Sequence, residues 1–138
     1  MKSTVTWREA RTFEAETEDG FKLTLGTSHN EGAKPGPSAM ELVLIGAGGC
    51  SAYDVVSILE KSRQAVDSVA VELDADRADD PPKVFTRIHM HFVVRGRGIS
   101  DDRVAKAIEL SVTKYCSATQ MLAQTAAVTT GFEVIETS

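Results

Sequence analysis

The 138-residue sequence has little of what marks specialised protein classes. Its only cysteines are Cys50 and Cys116, too few for a secreted disulfide scaffold, and they form no C-x-x-C pair of the kind seen in zinc and thioredoxin sites. No block of lysine and arginine occurs and the formal net charge is −5, so we expect no nucleic-acid partner. Motifs such as G-x-S-x-G, the P-loop and H-E-x-x-H are absent too.

Long hydrophobic runs and a targeting signal are also missing. The longest uncharged stretch in the apolar middle of the chain, 42–53, is much shorter than the roughly 20 residues of a membrane helix. Lys2, Arg8, Glu9 and Arg11 interrupt the N-terminal segment, which is unlike a signal peptide. We therefore expect a cytoplasmic protein that does not enter a membrane.

What is present is the composition of an ordinary globular domain, with 42% hydrophobic and 25% charged residues. A chain of this length fits one domain, 1–138, with a core that needs no disulfide. The hydrophobic patterns predict the order βββ-α-ββ-αα-β, an α+β fold with a mainly antiparallel sheet. The N-terminal half is predicted to contain three strands in the first 25 residues around the turn Asp19-Gly20, a Gly- and Pro-rich loop over 32–38, and a helix over 38–63. Two strands around the turn 79–82 follow. The C-terminal part is predicted to contain a helix after the N-cap Ser100, a short helix from Ser117 to about Gln124, and a strand over Ala127–Glu136.

The segment 38–63 stands out because apolar side chains occur all round its helical wheel, which is typical of a helix buried on most sides. Such a long central buried helix in so small a domain needs something around it, and a partner subunit is one source. Gly46, Gly48 and Gly49 each cost roughly 1 kcal/mol against alanine, so we expect a close approach of another backbone or a kink there. On the second helix, the predicted inward stripe runs from Val104 through Ser111 to Tyr115.

The two cysteines are the first candidates for chemistry. Cys50 lies in the middle of the long helix among apolar residues, a position that fits an inert packing residue as well as a reactive thiol. Cys116 precedes the capping-box pattern 117–120, and at the first turn of a helix the free N–H groups lower a thiol pKa. Cys116 could equally fill a gap at a helix junction. Helix-terminus chemistry alone favours Cys116 as the more acidic thiol.

Other ionisable side chains point to no metal or cofactor site. His89 and His91 share a strand face with Arg87 and Arg95, a polar stripe that we interpret as facing solvent. We therefore predict no metal site and no bound cofactor.

Several segments resemble the OsmC/Ohr family, and most closely its YhfA-like branch. The stretch 37–42 runs into the glycine-rich 46–50 and then into 54–59, and 83–92 and 114–119 extend the match. The resemblance covers nearly the whole chain, with cysteines where the family has its pair. It implies an intertwined homodimer, with two long helices between sheets that take strands from both chains.

The resemblance also implies a reaction. Active members reduce organic hydroperoxides, so Cys50 is expected to be the peroxidatic nucleophile, which becomes a sulfenic acid, and Cys116 the resolving residue, which condenses with it to an intrachain disulfide. Recycling of the pair would need an external thiol, which is a lipoyl-type dithiol in the peroxidase members. The apolar surroundings of Cys50 suit an organic peroxide better than hydrogen peroxide, although they disfavour the thiolate.

In the peroxidase branches an N-terminal arginine and a glutamate ahead of the first cysteine activate the thiol. Arg8 and Arg11 are the candidates here by region. Met40 occupies the position of that glutamate and Glu41 follows one residue later, which places Glu41 on the helix face opposite Cys50.

Asp54 shares the face of Cys50, because it lies one helical turn further on. A carboxylate at that position raises the thiol pKa unless a cation intervenes. The other interpretation of Asp54 is a buried hydrogen-bonding group at the dimer interface. A non-catalytic role for the whole protein, as a redox switch or as a binding protein for a small apolar ligand, is the alternative to the enzyme.

Overall fold

The computed structural model describes residues 1–27 and 33–138. We expected one domain, and the chain divides into two compact units, Met1–Leu44 and Ile45–Ser138, which we describe separately. Gly32, where the predicted loop begins, lies outside the described residues.

The N-terminal unit contains the predicted antiparallel meander. Its strands are β1 (Ser3–Glu9), β2 (Thr12–Thr17) and β3 (Lys22–Gly26), hydrogen-bonded in that order. The Asp19-Gly20 turn joins β2 to β3, and Gly20 has a φ of 92°, which glycine adopts without strain. This unit also contains the start of the long helix α1 (Ala39–Lys61).

The C-terminal unit carries the rest of α1 and the remaining elements in the predicted order. These are β4 (Ala65–Arg77), β5 (Phe85–Arg97), α2 (Asp101–Leu110), a π-helical turn (Ser111–Tyr115), α3 (Ser117–Leu122) and β6 (Ala127–Glu136). The α+β class and the mainly antiparallel pairing are confirmed, but the described strands form two three-stranded sheets rather than one. In the second sheet β4 and β5 are antiparallel, whereas β5 and β6 are parallel because the helices between them form the crossover that parallel strands require.

The core of this unit lies between one face of the second sheet and the helices. Ser100 caps α2 as predicted, accepting a hydrogen bond from the backbone N–H of Arg103. The predicted inward stripe holds as far as Ser111 and is wrong for Tyr115, which is 51% exposed because the π turn breaks the helical period. The largest fully buried side chains are Val55, Leu59, Ile88, Met90, Phe92, Val94 and Val104, with Ser51, Ser111 and Cys116.

Helix α1 is buried along one stripe and not on most sides, so that prediction is wrong for the single chain. Ala47, Ser51, Val55 and Leu59 recur at the four-residue spacing of one helix face, and the opposite side leaves Tyr53 75% exposed. Its most apolar window has a mean hydropathy of 1.8, with 28% of that window buried. By length and composition alone α1 could therefore cross a membrane, although core helices of soluble proteins pass the same test.

The three glycines of α1 differ in what surrounds them. A Cβ on Gly48 would lie 2.7 Å from Cδ1 of Leu73, so the predicted close approach exists there and involves a side chain of β4 rather than a backbone. A Cβ on Gly46 or Gly49 would meet nothing within 4 Å among the described residues. Because these two glycines have no side chain, the helix backbone is accessible on the exposed side of α1.

Candidate functional site

The two cysteines come together in the C-terminal unit, although they are far apart in the sequence. Both are free thiols: Cys50 lies on α1, and Cys116 caps the N-terminus of α3. Their sulfur atoms and a carboxylate oxygen of Asp54 all lie within 4.8 Å of one another. The predicted pairing of Cys50 with Asp54 on one helix face is therefore confirmed, and Cys116 joins them.

The π turn positions Cys116. The backbone N–H of Cys116 donates to the carbonyl of Ser111 at 2.8 Å, and the chain then turns into α3. The predicted capping box over 117–120 is wrong: Cys116 itself is the N-cap, and its sulfur accepts the backbone N–H of Thr119 at 3.4 Å. The side chain of Gln120 instead donates to the carbonyl of Val112.

Burial distinguishes the two thiols. Cys50 is partly exposed, whereas Cys116 is fully buried. The Cys116 sulfur lies 3.8 Å from the carbonyl oxygen of Ala47, and its S–H donates to Oγ1 of Thr119 at 3.0 Å.

The pKa of Cys116 is raised, contrary to the helix-terminus prediction. Burial is the largest cause, because it disfavours the charged thiolate. The two hydrogen bonds between Cys116 and Thr119 lower the pKa without cancelling that effect, and the neighbouring Cys50 raises it further. Cys116 is therefore held in its protonated form, and a helix N-terminus does not make it the more reactive thiol.

A hydrogen-bonded chain of two buried serines holds Asp54. Oγ of Ser111 donates to Oδ2 of Asp54 at 2.9 Å, and Oγ of Ser51 lies 2.8 Å from Oγ of Ser111. A serine has one hydroxyl hydrogen, so Ser111, which gives its hydrogen to the carboxylate, accepts from Ser51. Sequence reasoning missed these two residues as site residues, although it placed Ser111 on the inward face of α2.

A cavity of about 450 Å³ adjoins this cluster. Asp54 belongs to its wall and to the group around the sulfurs. The other lining residues, which combine apolar surface with two phenols and one ammonium group, are Tyr53, Ser57, Ile58, Lys61, Leu110 and Tyr115. The cavity therefore offers space for a small organic molecule beside Asp54.

Comparison with known proteins identifies the fold and the family. The family model described as OsmC-like protein matches residues 29–131. The chain belongs to the OsmC family. It is 44% identical over 135 residues to protein YhfA of Escherichia coli K12, covering 98% of each chain. The OsmC/Ohr resemblance and its YhfA-like branch are thus confirmed.

Solved structures agree with this OsmC-like fold. A hypothetical protein from Aquifex aeolicus superposes with a TM-score of 0.84 at 28% identity, covering 99% of this chain and 97% of that one. The organic hydroperoxide resistance protein OhrB of Bacillus subtilis superposes with a TM-score of 0.64 at 14% identity, covering 96% and 98%. The second likeness shows the fold alone.

Glu41 of this OsmC-like protein lies in the N-terminal unit and forms a capping box at the start of α1. Its carboxylate accepts the backbone N–H of Ser38 at 2.9 Å, and its own N–H donates to Oγ of Ser38 at 3.1 Å. Lys34 also donates to this carboxylate. Mainly because of Lys34, the pKa of Glu41 falls from 4.5 to about 2. The S-x-x-E spacing was the signal for this cap, and sequence reasoning overlooked it.

The two N-terminal arginines have partners within their own unit. Arg8 forms a salt bridge to Glu14 at 3.2 Å, and Arg11 donates to the carbonyl of Ala10. The activating roles of Arg8, Arg11 and Glu41 stay predictions.

The two strand histidines lie on the face of the second sheet opposite the core, as predicted. Nδ1 of His89 lies 2.7 Å from Oγ1 of Thr129, and His91 lies 3.5 Å from a carboxylate oxygen of Glu133. Among the described residues, the one group of three or more side chains with metal-ligand spacing is Cys50, Asp54 and Cys116.

Proposed function

We propose that this OsmC-like protein is a cysteine-dependent reductase of organic hydroperoxides with a role in peroxide resistance. The observation that carries the proposal is the pair of thiols within 4.8 Å, one partly exposed and one buried. The exposed thiol can meet a peroxide from solution, and the buried thiol is close enough to act on the product.

In the first step Cys50 attacks the terminal peroxide oxygen as a thiolate. The S–O bond forms as the O–O bond breaks, and the alkoxide takes a proton and leaves as the alcohol, so Cys50 becomes a sulfenic acid. The carboxylate of Asp54, within 4.8 Å of the sulfur, can accept the thiol proton and return it to the leaving group. Ser111 orients that carboxylate through its hydrogen bond.

In the second step Cys116 condenses with the sulfenic acid, forming the disulfide and releasing water. A disulfide needs about 2.05 Å between its sulfurs, so the two atoms must approach by less than about 3 Å. An external dithiol of the lipoyl type then reduces the disulfide by thiol exchange and is itself oxidised. No bound cofactor takes part in this scheme.

The cavity supports an organic substrate. Ile58 and Leu110 offer apolar surface to an alkyl or aryl group, and Asp54 belongs both to the cavity wall and to the group around the sulfurs. Hydrogen peroxide gains nothing from such a surface. OhrB of Bacillus subtilis, which has the same fold, is an organic hydroperoxide resistance protein, in agreement with this substrate class.

The test is rapid mixing of the reduced protein with cumene hydroperoxide and, separately, with hydrogen peroxide. We expect faster loss of both thiols with cumene hydroperoxide, an intrachain disulfide, and repeated turnover when dihydrolipoamide is supplied. Cys116→Ser should consume one equivalent and accumulate a sulfenic acid that dimedone traps. Peroxide consumption that is unchanged in Cys50→Ser would contradict the enzyme.

The same experiment identifies the non-catalytic alternative. A redox switch would form the disulfide once but would not turn over with dihydrolipoamide. A ligand-binding protein would keep both thiols while a bound ligand raises its melting temperature. The cavity beside Asp54 favours this second candidate over a switch, because a switch needs no such space.

We further propose that the protein is a homodimer in the cytoplasm, where reducing conditions keep both thiols free. A second copy of the chain would cover the exposed side of α1. This side contains Tyr53 and the two glycines Gly46 and Gly49. In an isolated chain Gly46→Ala or Gly49→Ala should stabilise the helix by about 1 kcal/mol. Across a close helix contact the added methyl should weaken the dimer instead. Sedimentation of the wild type as a monomer at all concentrations would contradict the homodimer.

A further inference from the structure

We propose that the reduced protein binds one Zn²⁺ ion through Sγ of Cys50, Sγ of Cys116 and a carboxylate oxygen of Asp54, with the fourth position open. This goes beyond the peroxide chemistry, since it needs no peroxide and no disulfide. The three atoms already lie within 4.8 Å of one another. Tetrahedral zinc with Zn–S bonds of about 2.3 Å and Zn–O bonds of about 2.1 Å holds its ligands roughly 3.5–3.8 Å apart. Rotamer adjustments that change these separations by at most about 1.3 Å close that difference.

The origin of the three ligands resembles that of known zinc sites. Cys50 and Asp54 are one turn apart on α1, and two ligands at this spacing on one helix face are a recurrent arrangement for zinc. Cys116 comes from the start of a different helix. Two thiolates and a carboxylate suit zinc better than calcium or magnesium, which prefer oxygen ligands.

The groups around the ligands orient them as a metal site requires. Oδ2 of Asp54 accepts the hydroxyl of Ser111, which leaves the other carboxylate oxygen for the ion. The Cys116 sulfur accepts the backbone N–H of Thr119, an interaction that also stabilises a metal-bound thiolate. These contacts exist without any ion, so the site is largely preformed.

Charge balance also favours a cation here. Among the salt bridges of the described residues, none involves Asp54, although this carboxylate is partly buried beside two thiols. A divalent ion would replace the protons of the two thiols and neutralise most of the charge of the resulting thiolates and the carboxylate. The bound ion would occupy the sulfur lone pairs that attack a peroxide, so the loaded form should resist oxidation.

The experiment is an anaerobic titration of the reduced full chain with Co²⁺, a spectroscopic substitute for zinc. We expect one ion per chain, with sulfur-to-cobalt charge-transfer bands in the near ultraviolet and the visible bands of tetrahedral Co²⁺. Zn²⁺ should displace Co²⁺, because zinc binds more tightly in the usual order of divalent ions. Protein already oxidised to the disulfide should show no bands, a control that requires no substitution.

Variants assign the ligands. Asp54→Asn should weaken Zn²⁺ binding at least about tenfold and Ser111→Ala by about 10–100-fold, as loss of an orienting group does. Cys116→Ser should remove most of the charge-transfer intensity. Glu60→Gln, which changes an exposed carboxylate on the same helix, is the matched control and should bind as the wild type does. Circular dichroism checks that each variant is folded.

Two results would overturn the site. One is the absence of charge-transfer bands in the reduced wild type. The other is an unchanged affinity in folded Asp54→Asn, since the two thiols alone would then hold the ion. Peroxide consumption by the metal-free protein is measured separately, so the failure of either proposal is distinguishable from the failure of the other.

Discussion

The two serine hydroxyls that hold Asp54 are hydrogen-bonded in a fixed donor-to-acceptor order. This order predicts that two similar substitutions, one at each serine, have unequal effects on stability. Ser111 gives its only hydroxyl hydrogen to the carboxylate and accepts from Ser51. Ser111→Ala therefore removes a hydrogen bond to a charged group and leaves the buried Ser51 hydroxyl without its partner. Ser51→Ala removes only one neutral donor, and Ser111 still holds Asp54.

The magnitudes follow from these losses. A hydrogen bond to a charged group contributes about 1.5–3 kcal/mol, and an unpaired buried hydroxyl costs about 1–3 kcal/mol. Because the two terms overlap, we expect Ser111→Ala to lower the free energy of unfolding by about 2–4 kcal/mol. Ser51→Ala should cost about 1 kcal/mol, the contribution of an ordinary hydrogen bond. The double variant should be no less stable than Ser111→Ala, since it leaves no hydroxyl unpaired.

Urea unfolding at one fixed protein concentration measures all three variants, and equal m-values show that only stability has changed. For a chain of this length roughly 4 °C of melting temperature corresponds to 1 kcal/mol, so Ser111→Ala should melt about 10 °C lower. A cost of Ser51→Ala as large as that of Ser111→Ala would refute the assigned direction. Strict additivity in the double variant would refute the coupling between the two serines.

Three further predictions concern the thiols and the start of α1. The pKa of Cys116 should fall in Cys50→Ser, because one of the groups that raise it is removed, and NMR of the Cys116 β carbon measures the change. A higher pKa in that variant would contradict the coupling. The pKa of Glu41 should lie near 2 and rise in Lys34→Met. Since this pKa is depressed on folding, its stabilising effect is present above pH 4.5 and is lost as the pH falls toward 2, which a carboxyl NMR titration and acid unfolding follow together. Ser38→Ala should cost about 0.5–2 kcal/mol in urea unfolding through loss of the helix cap, and no measurable loss would argue against the cap.

Much of the fold was predictable because local patterns determine it. The alternation around Asp19-Gly20, the N-cap at Ser100 and the strand Ala127–Glu136 depend on neighbouring residues, and all three occur as predicted. The parallel pairing of β5 with β6 was not predicted, because pairing joins segments separated by two helices. The π turn also escaped prediction, since it continues a helical pattern with a single altered turn.

The site was predictable in part for the same reason. The four-residue spacing of Cys50 and Asp54 is local, and the structure confirms that they share a face. Cys116 lies beside these two residues because of tertiary packing, which local patterns do not predict. Only the resemblance to the family indicated that the two cysteines form a pair. The pKa of Cys116 is raised mainly because this residue is buried. A sequence pattern predicts where a helix begins and ends much better than it predicts how deeply that end is buried.

The difference in burial between Cys50 and Cys116 bears on the order of the two steps in the proposed reaction. Burial keeps Cys116 protonated, and the charge of an ionised Cys50 raises its pKa further, so the two thiols do not ionise together. Once Cys50 has become a neutral sulfenic acid, this repulsion disappears while the Thr119 N–H still stabilises a Cys116 thiolate. In the proposed reaction, oxidation of Cys50 would therefore make Cys116 easier to ionise before it attacks. The same oxidation would remove one thiolate from the proposed zinc site, so we expect oxidation and zinc binding to exclude each other at this cluster.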